Sequence, residues 1–186
     1  MPDVSIAPAS LHRLRRRLEH HTSGDGVAIL HDAGFATGES LAAAWRARVT
    51  ERTGLADPSA LDTRWFGPLL DELCVTLGWG SLTVTPLGDS ALLLESGDWA
   101  EADPQGGAGA GCHFTCGCLA AFLTGQAGGP IGVLEVECRT AGQDACRFLA
   151  GAESTLTVVV DLLAAGGDWR TAFPDPAPPD LPPPTR

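Results

Sequence analysis

The sequence predicts an α+β domain, an antiparallel sheet covered by helices. Two observations carry this. Residues 82–95 and 130–150 each read as a strand, a glycine turn and a second strand, and helical stretches precede, separate and follow these hairpins. Strands followed directly by hairpin partners build antiparallel sheets, whereas strands alternating singly with helices build parallel ones.

The elements follow in order. Residues 10–22 carry Leu11, Leu14 and Leu18 at helical spacing, with Ser10 as a candidate N-cap. Arg13, Arg15, Arg16 and Arg17 crowd the other face, expected to be solvated. Residues 26–33 predict a second short helix and 38–53 a longer one ended by Gly54, with Gly34 and Gly38 as punctuation. Asp57-Pro58 opens the next helical stretch, Gly67-Pro68 interrupts it, and Leu69, Leu70, Leu73 and Leu77 continue it. The period then changes to two at Leu82 and Val84, Gly88-Asp89 turns the chain, and 91–95 returns as a strand. Residues 104–111 form a Gly-rich loop without the spacing or Lys of a phosphate-binding loop. A helix covers about 112–126, the second hairpin pairs 130–138 with 145–150, and a last helix covers about 153–165 with Leu156, Val159, Val160 and Leu163 as its apolar stripe. The chain of 186 residues is expected as one domain over 1–170, with a disordered Pro-rich tail over 174–186.

Composition narrows the function. There are 12 basic and 23 acidic residues, a formal net charge of −11, which disfavours nucleic acid as a partner. No apolar run reaches the roughly 18 residues of a membrane span. The N-terminal charges follow the short apolar stretch instead of preceding it, the wrong order for a signal peptide, so a cytoplasmic location is expected. In a reducing compartment, clustered cysteines bind metal or do redox work more often than they form disulfides. Five of the six cysteines fall between 112 and 146.

Cys138 and Cys146 lie symmetrically about Gly142, so a hairpin turning there sets them opposite each other, with Glu135 and Glu137 just upstream. Cys112, Cys116 and Cys118 stand at the start of the preceding helix, and Cys112 and Cys116 share a helical face. Thiolates with one carboxylate suit Zn²⁺, and a closed four-ligand site would be structural, joining the helix start to the hairpin. The alternative is that these thiols are small buried hydrophobes. Cys74 and Cys118 read as core thiols; Cys116 reads as a core thiol with replacement of Cys112 as ligand the alternative, and His113 as a side chain pointing away from the site with a ligand role the alternative.

Cys112, Glu135, Cys138 and Cys146, within the pattern ExEC-x₇-CRF, resemble the V4R (4-vinyl reductase) domain family, most strongly over about 110–150. The same module is the sensor domain of phenol- and xylene-responsive activators and shares its fold with Bet3-type tethering subunits. The resemblance implies helices packed on a four-stranded antiparallel sheet, and structural zinc held by Cys112, Glu135, Cys138 and Cys146. One tension stands: Glu135 and Cys138 are an odd number apart, so a regular strand points them to opposite faces. Either the strand bulges near 136–138, or Glu137 is the fourth ligand.

The resemblance also implies an apolar cavity between sheet and helices, for which the sequence offers Leu82, Val84, Leu92, Leu94, Trp99, Phe114 and Phe122. Phenol sensors hold the hydroxyl with a Trp and a His. Here Leu93 and Leu94 fall about where that Trp would stand, and the first hairpin has no His, which points to a less polar ligand than phenol. The expected function is a non-catalytic module that binds or senses a small apolar or aromatic molecule, acting as a homodimer and through a signalling partner protein. Two alternatives remain: a 4-vinyl reductase or accessory protein of tetrapyrrole metabolism, and an assembly module of the tethering type. No dinucleotide fingerprint, flavin motif or CxxC pair supports a reductase.

Overall fold

A computed structural model describes residues 7–21, 25–106 and 111–173. The expected tail over 174–186, and residues 107–110 of the Gly-rich loop, lie outside the described residues. The elements are α1 (Pro8–His21), α2 (Gly26–Thr53), α3 (Phe66–Thr76), β1 (Thr83–Leu87), β2 (Ala91–Ser96), α4 (His113–Ala127), β3 (Gly132–Glu137), β4 (Cys146–Gly151) and α5 (Glu153–Ala164), with a final 3₁₀ turn at Trp169–Ala172. The four strands form one antiparallel sheet in the order β1-β2-β4-β3, so the two hairpins meet along β2 and β4.

Strand alternation gives the sheet two apolar faces. Leu92, Leu94, Val133, Phe148 and Ala150 point to the inner face and pack with Trp45, Val49, Leu70, Leu73, Leu119 and Phe122 of α2, α3 and α4. Leu93, Leu134, Val136 and Leu149 point outward and meet Leu156 and Val159 of α5 and Trp169 of the final turn. The apolar stripe expected on α5 is only partly used: Val159 is fully buried, whereas Val160 is 47% exposed.

The two helices expected over 26–33 and 38–53 are one helix, α2. Gly34 and Gly38 are not breaks. A Cβ on Gly34 would stand 1.9 Å from the Phe114 carbonyl oxygen, and one on Gly38 2.3 Å from Ala121 Cβ. In return, a Cβ on Gly117 of α4 would stand 2.0 Å from the His31 carbonyl oxygen. The two backbones touch, and glycine is what lets them. Gly67-Pro68 likewise does not interrupt a helix. The pair sits in the first turn of α3, where a missing N–H is harmless.

α1 also departs from expectation. It begins at Pro8, before Ser10, and Leu14 of its presumed apolar stripe is 53% exposed. Arg15, placed on the solvated face, is fully buried and donates to the carbonyls of Glu101 (3.1 Å) and Gly111 (3.4 Å). Arg16 pairs with Asp103, and His12 Nε2 lies 2.8 Å from the Ala100 carbonyl oxygen. α1 is held by polar contacts to the segment leading into α4.

Candidate metal centre and its surroundings

The start of α4 and the β3–β4 hairpin meet at four side chains. One ligand atom each from Cys112, Glu135, Cys138 and Cys146 lie within 4.8 Å of one another. Cys112 Sγ is 3.9 Å from both Cys138 Sγ and Cys146 Sγ. A tetrahedral Zn²⁺ with Zn–S bonds of about 2.3 Å sets its sulfurs roughly 3.8 Å apart, so the thiols already stand at coordinating separation.

The strand bulges, which resolves the parity tension. The β3–β4 register shifts between Glu135 and Glu137, leaving Val136 unpaired. Glu135 pairs across with Phe148 on the inner face, and Glu137 with Arg147 on the outer face. Glu135 therefore turns into the cluster with Cys138. Glu137 instead pairs with Arg147 and accepts hydrogen bonds from Trp169 Nε1 (3.0 Å) and Arg170 (2.7 Å). Cys138 follows Glu137 and Cys146 precedes Arg147, the last paired residues, and Gly142 turns the hairpin at φ 95°, a left-handed conformation that suits glycine.

The electrostatics fit a bound cation. Glu135 Oε2 accepts the Cys112 backbone N–H at 2.6 Å, while its buried Oε1 has no hydrogen-bond partner. Burial, and then the Cys138 thiolate beside it, push the Glu135 carboxyl up to about 8. Hydrogen bonds from Cys112 and Cys146 hold the Cys138 thiol low, and the same contact with Cys138 drives Cys112 upward. Without a cation, only part of this set can carry negative charge at once. A divalent ion would take the place of the retained protons and give Glu135 Oε1 a partner. Three thiols and one carboxylate gathered in this way could hold a metal ion.

Cys74, Cys116 and Cys118 are buried free thiols outside the four-atom group, and half-buried His113 is also outside it. Burial pushes the Cys74 and Cys118 thiols up to about 12, as suits inert core positions.

Glu101 escaped sequence reasoning. It is fully buried and caps α4 from a distance: Oε1 accepts from Phe114 N–H (3.0 Å), and Oε2 from Thr115 N–H (2.8 Å) and Thr115 Oγ1 (2.6 Å). Burial raises its carboxyl, against these hydrogen bonds and the charge of Arg15. The available signal was that the helix opens at Cys112 with no capping side chain of its own.

The seven candidate cavity residues share one core. Leu82, Leu94, Trp99 and Phe122 are buried, and Val84, Leu92 and Phe114 pack half-buried against them. Trp99 donates from Nε1 to Thr115 Oγ1 at 2.7 Å and stacks on Trp79, which stacks in turn on Phe114. A surface cleft of about 510 Å³ is lined by Trp99 together with His12, Val75, Asp98 and Arg139.

The fold and the site define the class: a helix-covered antiparallel domain with a four-donor cluster at the joint between helix and hairpin. Residues 102–152 match the family model of the V4R domain, and this stretch spans the α4–hairpin unit and all four donors. The V4R resemblance holds there, and the fold agrees. The chain is similar to the phenol-responsive sensory domain of the transcription activator PoxR, solved with phenol, at 18% identity and a TM-score of 0.62, over 86% of this chain and 83% of that one. No curated protein matches the chain. No described helix is long and apolar enough to cross a membrane.

Proposed function

We propose that this chain is a non-catalytic module that binds a small apolar or aromatic molecule, and that structural Zn²⁺ on Cys112, Glu135, Cys138 and Cys146 stabilises it. The observation that carries the reading is the closed donor set. An ion held by four protein ligands has no position left for a substrate, which supports a structural role. When bound, the ion supplies charge neutralisation and a cross-link between α4 and the hairpin. Cys112 and Cys138 orient the two elements, and Glu135 adds its backbone contact with Cys112.

The ligand reading draws on the likeness to the PoxR sensory domain and on the aromatic set Trp79, Trp99, Phe114 and Phe148, whose rings pack on one another. An apolar wall with few polar anchors suits a hydrocarbon-like molecule. The reading includes a cytoplasmic chain, consistent with free thiols at all six cysteines, organised as a single domain over 1–170. It also includes a homodimer and a separate signalling partner. The exposed apolar side chains of α5, Val158 and Val160 among them, are available for such contacts.

Native mass spectrometry of protein purified from its own host tests the ligand, and metal analysis of the same sample tests the zinc. A co-purified apolar molecule with about one zinc per chain is the expected result. A chain with neither, whose stability a chelator leaves unchanged, overturns the reading.

A further inference from the structure

On the outer face of the sheet, directly behind the donor cluster, Arg147 stands between Glu95 and Glu137 in cross-strand register and pairs with both. Glu137 is the residue before Cys138, and Arg147 the residue after Cys146. Glu137 also receives the final turn: Trp169 Nε1 at 3.0 Å and Arg170 at 2.7 Å share its Oε1. Trp169 is buried against Leu149 and Val159. A single bulge therefore decides two contacts, because it sends Glu135 inward to the cluster and Glu137 outward to the final turn.

From this we propose that the turn at Trp169–Ala172 is a clasp governed by the metal state of the cluster. The proposal rests on the metal reading above. An ion on Glu135 and Cys138 fixes both sides of the bulge, and the bulge sets the carboxylate on which Trp169 and Arg170 close. When the ion leaves, the bulge relaxes, Glu137 loses its set position and the clasp opens. Linkage makes the effect reciprocal: a clasp that favours the bulged strand tightens metal binding, although none of its residues touches the ion.

The test uses the full chain and zinc alone as the probe. Hydrogen exchange is followed in 166–173 with zinc and after chelation, and zinc affinity is measured by chelator competition for wild type, Trp169→Phe and Val159→Ala. Trp169→Phe keeps a ring but removes the N–H to Glu137. Val159→Ala damages the same apolar cluster without touching Glu137. The expected result is faster exchange in 166–173 on chelation while α2 stays protected, with zinc binding at least fivefold weaker in Trp169→Phe and within about twofold of wild type in Val159→Ala. Continued protection of 166–173 without zinc, or equal affinities in the two variants, overturns the clasp. If chelation melts the whole chain, the affinity comparison decides alone. Failure to bind zinc at all overturns the metal reading and the clasp with it, whereas normal zinc binding with an indifferent Trp169→Phe overturns only the clasp.

Discussion

Glu135 Oε2 accepts the Cys112 backbone N–H at 2.6 Å, so a strand carboxylate ties the first residue of the donor set to the hairpin. Its other oxygen, buried and without a hydrogen-bond partner, is the one left for a cation.

Glu135→Gln keeps an acceptor for Cys112 but removes the charge. Zinc affinity should fall by at least tenfold, since losing even a hydrogen-bond partner behind a ligand costs about 10–100-fold. Glu137→Gln should retain about one zinc per chain at saturating zinc, because Glu137 faces the opposite side of the sheet and its amide oxygen can still accept from Trp169. Cys116→Ser should retain it too, whereas Cys138→Ser should lose it. Metal content by atomic emission, read beside the thermal midpoint, checks all four.

Gly117→Ala forces a methyl group into the His31 carbonyl, a backbone atom that cannot swing aside. The expected cost is about 1–3 kcal/mol, the range for overpacking a filled interior. Gly125, on the same helix, has nothing within 4 Å of its would-be Cβ, and Gly125→Ala should stabilise by about 0.5–1 kcal/mol. Urea unfolding of the two variants should move in opposite directions.

Glu101→Gln should weaken the start of α4. One of its two oxygens becomes an NH₂ group facing an N–H donor, and a buried unsatisfied group costs about 1–3 kcal/mol. Because Cys112 is the residue before this helix, zinc affinity should fall along with stability, although Glu101 is not a ligand. Chelator competition and urea midpoints measured together check this.

Asp98 gives a pH signature. Hydrogen bonds from the Ser81 hydroxyl and the Ser81 backbone N–H hold its carboxyl below the usual range. A depressed carboxylate stabilises the fold fully above its unfolded value of about 3.9 and loses that contribution as pH falls through the lower folded value. The gap in urea midpoint between wild type and Asp98→Asn should be present at pH 6 and shrink below about pH 4. A gap that stays constant to pH 3 contradicts the assignment.

Hairpins and donors were the legible part of this chain, and the reasons are physical. Period-two alternation at Leu82 and Val84 and the turn glycines at 88 and 142 are local signals, as is the spacing of Cys138 and Cys146. Gly34 and Gly38 misled because glycine marks a break and a close approach with the same letter, and only the neighbour, α4, tells them apart. Arg15 misled because its burial depends on carbonyls some 90 residues away, those of Glu101 and Gly111. The parity of Glu135 and Cys138 announced an irregularity, but the extra residue, Val136, is defined only against β4.

The glycine contact between α2 and α4 has a consequence for how the molecule can move. With main chain against main chain at Gly34 and Gly117, and only the Ala121 methyl against Gly38, there are no side-chain rotamers to absorb a shift, so α4 can neither roll nor slide without lifting off its partner. The cysteine at its head is the anvil of the donor set. The hairpin that carries the other three donors is joined at its tip by a short 3₁₀ turn, so it has no such backbone-to-backbone lock on α2.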